Sequence, residues 1–431
     1  MKSAEIFFSA SLFFLAGVFL GSFDIGGIVV LVLTAASSGG FLWFARRNGK
    51  WRTLVVLVLF IPLGCFYFYF RESFSLPKIP FDEETTFIAK VIVEPESREK
   101  SQVLKLKLEP PWKGEVTSYN RLYPEYAYGD LLQVTGSIKE SGYGGYSVSF
   151  PEIVLLRKNQ GPVFMKTLFG FKNSLTSGLR KILPVSEAGF AIAAMFGDES
   201  LIDRGFADNL KKTGTSHLIA LSGYNVLIVV QGVQIFLSSL GLRRRSFIFS
   251  VLFVSGFVLM TGAGASVTRA GIMAVLSMIA RENSRFYSTK NTVAFTGLLM
   301  TLWNPRFLVF DLGFQLSFLA FFGVSCLAPF FKEKLRLEDR GFCGWKENAI
   351  QTLSAQIMVA PLLFFKTGGF SLLAIFPNIL ILPVMPMIMF FGFVSAFASV
   401  VSRSLAVIFA FFLRISLNYA ESVINLGARF M

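Results

Sequence analysis

The stretch SFIFSVLFVSGFVLMTGA, residues 246–263, carries no charged side chain. An α-helix needs about 20 mainly apolar residues to cross roughly 30 Å of hydrocarbon. Similar runs recur along the 431-residue chain, which is 53% hydrophobic and 16% charged. The sequence therefore predicts a polytopic α-helical membrane protein with about ten transmembrane helices. The predicted spans are 5–22, 27–45, 53–70, 216–240, 246–263, 291–303 joined to 307–331, 348–366, 370–390, 385–402 and 404–428.

Basic side chains gather in the short segments between predicted spans. The net charge is +14, and Lys and Arg are enriched in the cytoplasmic loops of membrane proteins. The basic segments 46–52, 243–245 and 332–346 follow this rule. They place the N-terminus in the cytoplasm and predict a multi-pass protein of the cytoplasmic (inner) membrane. The run 5–22 is interpreted as an anchor rather than a signal peptide, because a second apolar run follows it closely.

Residues 73–160 form a polar segment with the pattern of short β-strands. The segment follows three predicted spans, so it lies outside the cytoplasm. Several short strands in so few residues are typical of a small barrel, and we predict an extracytoplasmic, β-rich, OB-fold-like domain. The predicted strands are 86–94, 102–108, 131–138 and 146–155.

Residues 161–185 have an amphipathic pattern. Apolar side chains recur at spacings of three and four residues, which predicts a helix lying in the membrane interface. The chain is then divided into N-terminal transmembrane helices, an OB-like domain, an interfacial helix and a transmembrane channel domain. The boundaries are 1–72, 73–160, 161–185 and 186–431.

Polar side chains interrupt the apolar runs of the last segment, and such groups usually face a bundle interior or a cavity. In GTSHLIALSGYNV (214–226), His217 and Asn225 share one face of a helix that Ser222 can bend. Two interpretations stay open: a polar lining at a broken helix, or a histidine hydrogen-bonded between packed helices.

Two further clusters contain charged side chains. Arg269 follows a Gly-rich stretch and is either a fixed fork for a phosphate or an arginine that reaches the membrane surface. Asp311 and Gln315 are neighbours on one helix face. Asp311 either forms an ion pair with Arg269 or contacts a ligand.

The sequence argues against several enzyme classes. Ser222 and His217 are about 140° apart around a helix, and no second histidine can act as a base. The chain has no G-x-x-x-x-G-K-[ST] phosphate loop and no metal-ligand spacing. We therefore predict no enzyme activity, no catalytic residue, no cofactor and no bound metal.

Four motifs resemble the ComEC family of competence proteins in order and spacing. They are MFGDES (195–200), KKTGTSHLIALSGYNV (211–226), ASVTRAGIMA (265–274) and DLGFQLSFLA (311–320). The resemblance implies a transmembrane channel that imports single-stranded DNA across the cytoplasmic membrane during natural transformation. It also implies that one set of residues lines or shapes the DNA path. That set is His217, Ser222, Asn225, Arg269, Asp311 and Gln315.

The resemblance also implies partners and raises an alternative. The expected partners are single-stranded DNA, membrane lipids, a DNA receptor, a cytoplasmic ATPase or helicase and a separate nuclease, with the protein as a monomer or homodimer. The nuclease is expected to be separate because the chain has no HxHxDH run of a metallo-β-lactamase-like domain. The alternative function is a polytopic transporter or assembly protein for another polyanionic or lipid-linked substrate.

The predicted external domain gives mixed signals about DNA. Residues 81–160 contain ten Lys and Arg against twelve Asp and Glu, a net charge of −2, whereas grooves for single strands are usually positive. Trp112, Tyr126 and Tyr128 are nevertheless candidates for stacking on bases. The alternative is that these rings belong to the core of the domain.

Overall fold

A computed structural model of the protein describes residues 3–23, 56–75, 83–97, 101–141, 145–241, 246–282, 288–335, 345–367 and 375–430. The predicted span 27–45 and the basic segments 46–52 and 243–245 lie outside these ranges. Within them, five helices are long and apolar enough to cross a membrane, or six if one pair bent by 47° counts as a single span. The number of about ten spans stays a prediction.

Two N-terminal helices pack closely against each other, α1 (Ser3–Gly21) and α2 (Phe60–Ser75). A Cβ on Gly17 would overlap the carbonyl of Ile61, and one on Gly64 would overlap the carbonyl of Phe14. Small residues at such positions let helix backbones approach where the surroundings are apolar.

A β-domain follows, and its eight strands form one sheet in the order β6-β7-β4-β3-β1-β5-β8, with β2 paired to β3. Its core side chains point inward at alternate positions, as the pleat of a strand requires. The strands are β1 (Glu84–Val91), β2 (Glu96–Ser97), β3 (Ser101–Leu108), β4 (Glu115–Arg121), β5 (Leu131–Ser137), β6 (Lys139–Ser141), β7 (Gly145–Ser149) and β8 (Glu152–Arg157).

Strands β2, β4 and β6 were not predicted from the sequence, and β7 and β8 were predicted as one strand. The sequence analysis missed β4, in which polar Thr117 and Ser118 obscure the alternation. The predicted strand 146–155 is two strands, because Phe150 has a φ of 50° and turns the chain between β7 and β8.

The amphipathic segment is a helix, α3 (Val163–Ile182), which contacts both halves of the molecule. Phe169 packs on Tyr128 at a ring-centroid distance of 5.0 Å. Lys172 forms an ion pair with Glu94 at 2.7 Å. Further along the helix, a Cβ on Gly178 would overlap Ser399 of the bundle. The location of α3 at a membrane interface stays a prediction.

The C-terminal bundle buries an apolar core at the centre of its helices. Its longer elements are α4 (Val185–Phe196), α5 (Arg204–Lys212), α6 (Gly223–Ser239), α7 (Ser246–Met260), α8 (Ala265–Glu282), α9 (Thr289–Trp303), α10 (Arg306–Phe310), α11 (Leu312–Phe322), α12 (Ala328–Lys334), α13 (Trp345–Thr367), α14 (Ile375–Ile381), α15 (Met385–Val401) and α16 (Arg403–Phe430).

Several bundle helices are interrupted where the sequence analysis expected continuous spans. The predicted span 216–240 corresponds to a candidate span, Ser216–Ser239, but it becomes α-helical only at Gly223. Helices α11 and α12 are continuous through a π-helical segment, Gly323–Leu327, and together form the candidate span Leu312–Lys334. A Cβ on Gly323 would overlap the carbonyl of Ser354 on α13. Breaks of this kind are frequent at functional positions.

The contact of α1 with α2 gives a testable prediction. Gly64→Val should separate the two helices, because the nearest atoms to the new side chain are backbone atoms that cannot rotate away. Overpacking costs about 1–3 kcal/mol. The measurement is the temperature at which detergent-solubilised protein loses its monodisperse peak in size-exclusion chromatography.

The matched control is Gly232→Val in α6, where a Cβ meets no heavy atom within 4 Å. Both variants place valine in a helix, so the change in helix propensity is similar. Equal losses of thermal stability in both variants would show that the α1–α2 approach is not the cause.

Candidate functional site: a broken helix and a buried arginine

The helical structure is interrupted immediately before α6. Residues Ser216–Leu218 form a single 3-10 turn, and α6 begins at Gly223 with Ser222 as its N-cap. The Ser222 Oγ accepts a hydrogen bond from the Asn225 N–H at 3.4 Å. Serine favours this position because its hydroxyl satisfies one of the free N–H groups of the first turn.

Asn225 connects this break to the end of α4. Its side chain is 1% exposed, and its Nδ2 donates to the carbonyl of Ala194 at 3.0 Å. Helix α4 ends at Gly197, which has a φ of 72° and a left-handed conformation. The last carbonyls of a helix lack partners within it. Asn225 therefore satisfies a carbonyl that the end of α4 leaves free.

His217 lies away from this hydrogen-bonded unit. Its side chain is exposed, and Nδ1 lies 3.2 Å from the carbonyl oxygen of Gly214. The prediction that His217 and Asn225 share a helix face is wrong, because residues 219–222 are not α-helical. His217 is therefore held by its own loop.

Arg269 is buried on α8, with 8% of its surface exposed. The centre of its guanidinium lies 5.7 Å from the ring centroid of Phe318 and 5.8 Å from that of Phe321, both in α11. Its Nη1 lies 3.7 Å from the Met273 sulfur. Aromatic faces attract a cation within about 6 Å, and this partly offsets the loss of water.

The guanidinium points at the start of α6. A Cβ built on Gly223 would lie 2.8 Å from the Arg269 Nη2. The buried Nε has no hydrogen-bond partner in the described part of the chain, and no carboxylate there forms an ion pair with Arg269. The N-terminus of a helix carries a partial positive charge. The guanidinium and the positive end of α6 are thus in close contact.

Asp311 and Gln315 lie at a second break, between α10 and α11. The Asp311 Oδ1 accepts from the Phe314 N–H at 2.7 Å and caps α11. Gln315 Nε2 donates to the carbonyls of Leu308 at 3.1 Å and Val309 at 2.6 Å. The predicted ion pair of Asp311 with Arg269 is therefore wrong, since Asp311 serves the backbone of its own helix.

A third contact joins the helices that carry these residues. The hydroxyls of Ser266 on α8 and Ser317 on α11 lie 3.3 Å apart. Ser266 is one turn from Arg269, and Ser317 is one turn from Phe321, so the contact joins the two helices beside the guanidinium and the aromatic rings. The sequence analysis did not identify Phe318 or Phe321. Their spacing of three residues, one helical turn, was the available signal.

The part of the chain that contains these residues matches a known protein family. The Competence protein family matches residues 194–430, more than half of the chain. The chain belongs to this family of ComEC-type competence proteins. It is also similar to ComE operon protein 3 of Bacillus subtilis (strain 168), with 27% identity over 222 residues. That alignment covers 51% of this chain and 27% of the relative. No solved structure matches the chain.

The region shared with the competence family contains the two helix breaks and Arg269. It begins at Ala194, the residue whose carbonyl Asn225 satisfies. The β-domain lies before it. The six sequence-predicted path residues all lie inside the matched region, although the structure brings only some of them together. Ser222 contacts Asn225 directly, and Arg269 lies against Gly223.

The aromatic residues proposed to stack on bases have other roles in this competence protein. Tyr126 is 8% exposed in the β-domain core, and Trp112 packs against that core. Burial raises the pKa of the Tyr126 hydroxyl. Tyr128 packs on Phe169. The prediction that Tyr126 stacks on a base is therefore wrong, whereas Trp112 and Tyr128 are partly buried and their stacking on bases stays a prediction.

The hydrogen bond from Asn225 to Ala194 gives a second prediction. Asn225→Asp replaces the donor NH2 with an oxygen that faces a carbonyl oxygen. An unsatisfied buried group costs about 1–3 kcal/mol. We expect a lower thermal unfolding temperature in detergent for Asn225→Asp than for Asn418→Asp, an equivalent change at an exposed position of α16. Identical unfolding temperatures would contradict the assigned role of Asn225.

Proposed function

We propose that this competence protein is an integral protein of the cytoplasmic membrane that imports single-stranded DNA during natural transformation. The observation that carries the proposal is Arg269. A permanently charged guanidinium lies inside an apolar bundle, aimed at a helix N-terminus, and has no carboxylate partner in the described residues. Charged groups within membrane helices usually serve substrate or ion pathways.

A phosphodiester fits this position chemically. Burying an unpaired cation costs several kcal/mol, and a DNA phosphate passing the site supplies the missing anion. Arginine offers a planar fork that matches phosphate oxygens, and it stays charged at every relevant pH. The start of α6, which lies against the guanidinium at Gly223, adds the partial positive charge of a helix N-terminus. The site suits a polyanion better than a neutral or cationic substrate.

The two helix breaks support a path through the bundle. Irregular backbone within a membrane is tolerated where it is buried in protein or lines an aqueous cavity. In each break a hydroxyl or carboxylate caps the following helix, and an amide satisfies freed carbonyls. We assign Ser222, Asn225, Asp311 and Gln315 to shaping the path and Arg269 to contacting DNA. We place His217 at the entrance or exit of this path.

The strand pairing supports the proposal that the β-domain is an OB-like module that receives DNA. Strands β1, β3 and β4 pair in antiparallel order, β4 pairs with β7 in parallel, and β1 pairs with β5. Strand pairing of this kind supports the proposal of a small OB-like barrel. A Cβ on Gly136 of β5 would lie 2.9 Å from Val148 of β7. That close approach between strands that are not paired supports a curved sheet.

Family membership favours transport over catalysis and suggests the remaining components. The proposal places the β-domain outside the membrane, the N-terminus in the cytoplasm and about ten spans between them. A DNA receptor outside and an ATPase or helicase inside complete the pathway, and a separate nuclease removes the second strand. The protein acts as a monomer or homodimer.

Arg269→Gln should reduce DNA uptake about 10- to 100-fold, as expected for loss of a hydrogen bond to a charged group. Arg269→Lys should give an intermediate value, because lysine keeps the charge but not the fork. The measurement is the entry of labelled DNA into cells of a competent host that lack the chromosomal gene and express each variant at equal membrane levels.

Arg281→Gln is the matched control, because Arg281 is exposed at the end of the same helix. Normal uptake with Arg269→Gln would exclude Arg269 from the DNA path. Normal transformation in cells without the gene would exclude DNA uptake altogether. The alternative, transport of another polyanionic or lipid-linked substrate, would then be tested.

Gly223→Ala provides a prediction that leaves Arg269 itself unchanged. The added methyl group must displace the guanidinium, which lies 2.8 Å from its position. We expect uptake to fall roughly ten-fold, given the usual cost of overpacking, while the protein remains folded because alanine favours helix. Gly232→Ala, with open space around its Cβ, should transport normally. Equal uptake in the two variants would disprove the contact's importance.

A further inference from the structure

One outer face of the β-domain exposes apolar side chains at the edge of the sheet. Directly opposed residues in paired strands share a face of the sheet. Ile88 of β1 lies opposite Gln133 of β5, and Gln133 lies opposite Val154 of β8. Ile88 is 41% exposed and Val154 is 58% exposed. Within the described part of the chain β8 pairs only with β5, so Val154 lies at the open edge of the sheet.

Strand β8 has an unusual composition for an edge strand. Such strands usually carry charged residues or proline, which prevent pairing with another chain. The centre of β8 instead carries three consecutive apolar residues that are exposed, Val154, Leu155 and Leu156. Contiguous exposed apolar residues mark a surface that contacts a partner or a membrane.

The apolar surface continues into helix α3. The segment between β8 and α3 is held against the β-domain, because the Lys90 Nζ donates to the Gln160 carbonyl at 2.5 Å. Phe164, in the first turn of α3, is 62% exposed. Phe171, two turns further along, is also exposed and packs on Phe397 of α15 at a ring-centroid distance of 6.0 Å. The exposed apolar residues of β8 and α3 thus lead to the apolar outer surface of the bundle.

Basic side chains lie on the same face of the sheet, at the end beside α3. Lys107 of β3 lies opposite Lys90, Lys90 lies opposite Leu131 of β5, and Leu131 lies opposite Arg157. Lys107 and Arg157 are exposed, and so is Lys158, which follows β8. The end of the face nearest the bundle therefore carries positive charge beside its apolar residues.

Acidic side chains of this face lie toward its other end. Glu84 begins β1 and Glu152 begins β8, and both are exposed. A strand rises about 3.3 Å per residue, which separates Glu152 from Arg157 by about 16 Å. Glu115, opposite Lys107, offsets part of the positive charge. The face is thus oriented, with a basic end beside α3 and an acidic end away from it.

We infer that this face of the β-domain lies on the membrane surface, with Val154, Leu156 and Phe164 among the lipid head groups and Arg157 and Lys158 against anionic lipids. Apolar side chains flanked by Lys and Arg are the pattern of interfacial binding, and anionic lipids attract basic residues near the surface. Continuity with the outer surface of the bundle favours a bilayer over a second protein chain. The inference rests on the proposed function only for the location of the protein in a membrane.

The test uses the full-length protein in vesicles of phosphatidylethanolamine and phosphatidylglycerol that contain lipids with a nitroxide on the acyl chain. The native cysteines are replaced by serine, and an NBD fluorophore is attached to one new cysteine. Val154→Cys reports on the face, Glu140→Cys on an exposed position of β6 at the opposite edge of the sheet, and Leu252→Cys on an exposed position of α7. We expect the nitroxide to quench the probes at 154 and 252 but not at 140, because interfacial side chains enter roughly 5–10 Å into the head-group region.

The three probes separate this inference from the proposed membrane location. Quenching at 252 without quenching at 154 would overturn the inference and leave the membrane location intact. Absence of quenching at both positions would contradict the membrane location as well. Protection of the probe at 154 from aqueous iodide, without quenching by the nitroxide lipid, would show that a protein covers the face and would also overturn the inference.

The basic end of the face is tested by charge removal in the Val154→Cys protein. Arg157→Gln/Lys158→Gln should lower the ratio of bound to unbound β-domain about 25-fold, since one basic residue near an anionic surface contributes about five-fold. Lys113→Gln/Lys139→Gln removes the same charge from exposed positions outside this end of the face and should leave quenching unchanged. Equal quenching in the two pairs would overturn the contact with anionic lipids, as would unchanged quenching of Val154→Cys in vesicles without phosphatidylglycerol.

Discussion

The burial of one permanent positive charge is the constraint on which the bundle depends. Water is removed from the Arg269 guanidinium, and in the described residues no carboxylate replaces it. Phe318 and Phe321 supply aromatic faces within 6 Å, which offset about 2 kcal/mol or less each. The remaining cost is larger than these contacts supply. An anion at this position would offset the remaining cost, which is the physical basis for the polyanionic substrate that we propose.

The side chains at the helix breaks meet the same requirement, that polar groups inside an apolar bundle have hydrogen-bond partners. Each break frees backbone N–H and carbonyl groups, which must find partners where water is absent. Ser222 and Asp311 accept from freed N–H groups, while Asn225 and Gln315 donate to freed carbonyls. These four side chains are occupied by the backbone. Arg269 differs from them because its donors are not used in this way, which leaves it available to a substrate.

Much of the architecture was predictable because long apolar runs and alternating strands leave direct traces in sequence. The polar clusters also identified the right segments. The errors came from local hydrogen bonding. An ion pair of Asp311 with Arg269 was one of two interpretations of the sequence, but the Asp311 carboxylate bonds to the backbone of its own helix. His217 was placed on a helix that Ser222 prevents from forming. Tyr126 lies outside any strand and gave no sign of its burial.

Sequence patterns could not predict the contacts between the β-domain and the bundle, because the residues that make these contacts are far apart in the chain. Arg306, at the start of α10, forms an ion pair with Glu72 of α2 and donates to the Tyr146 hydroxyl at 3.2 Å. Tyr146 belongs to β7. Gln315 satisfies carbonyls of the same short helix α10. The contact of Tyr146 with Arg306 therefore connects β7 to the segment before the α10–α11 break. Because α11 also carries the aromatic rings beside Arg269, one continuous set of contacts joins the β-domain to the buried cation.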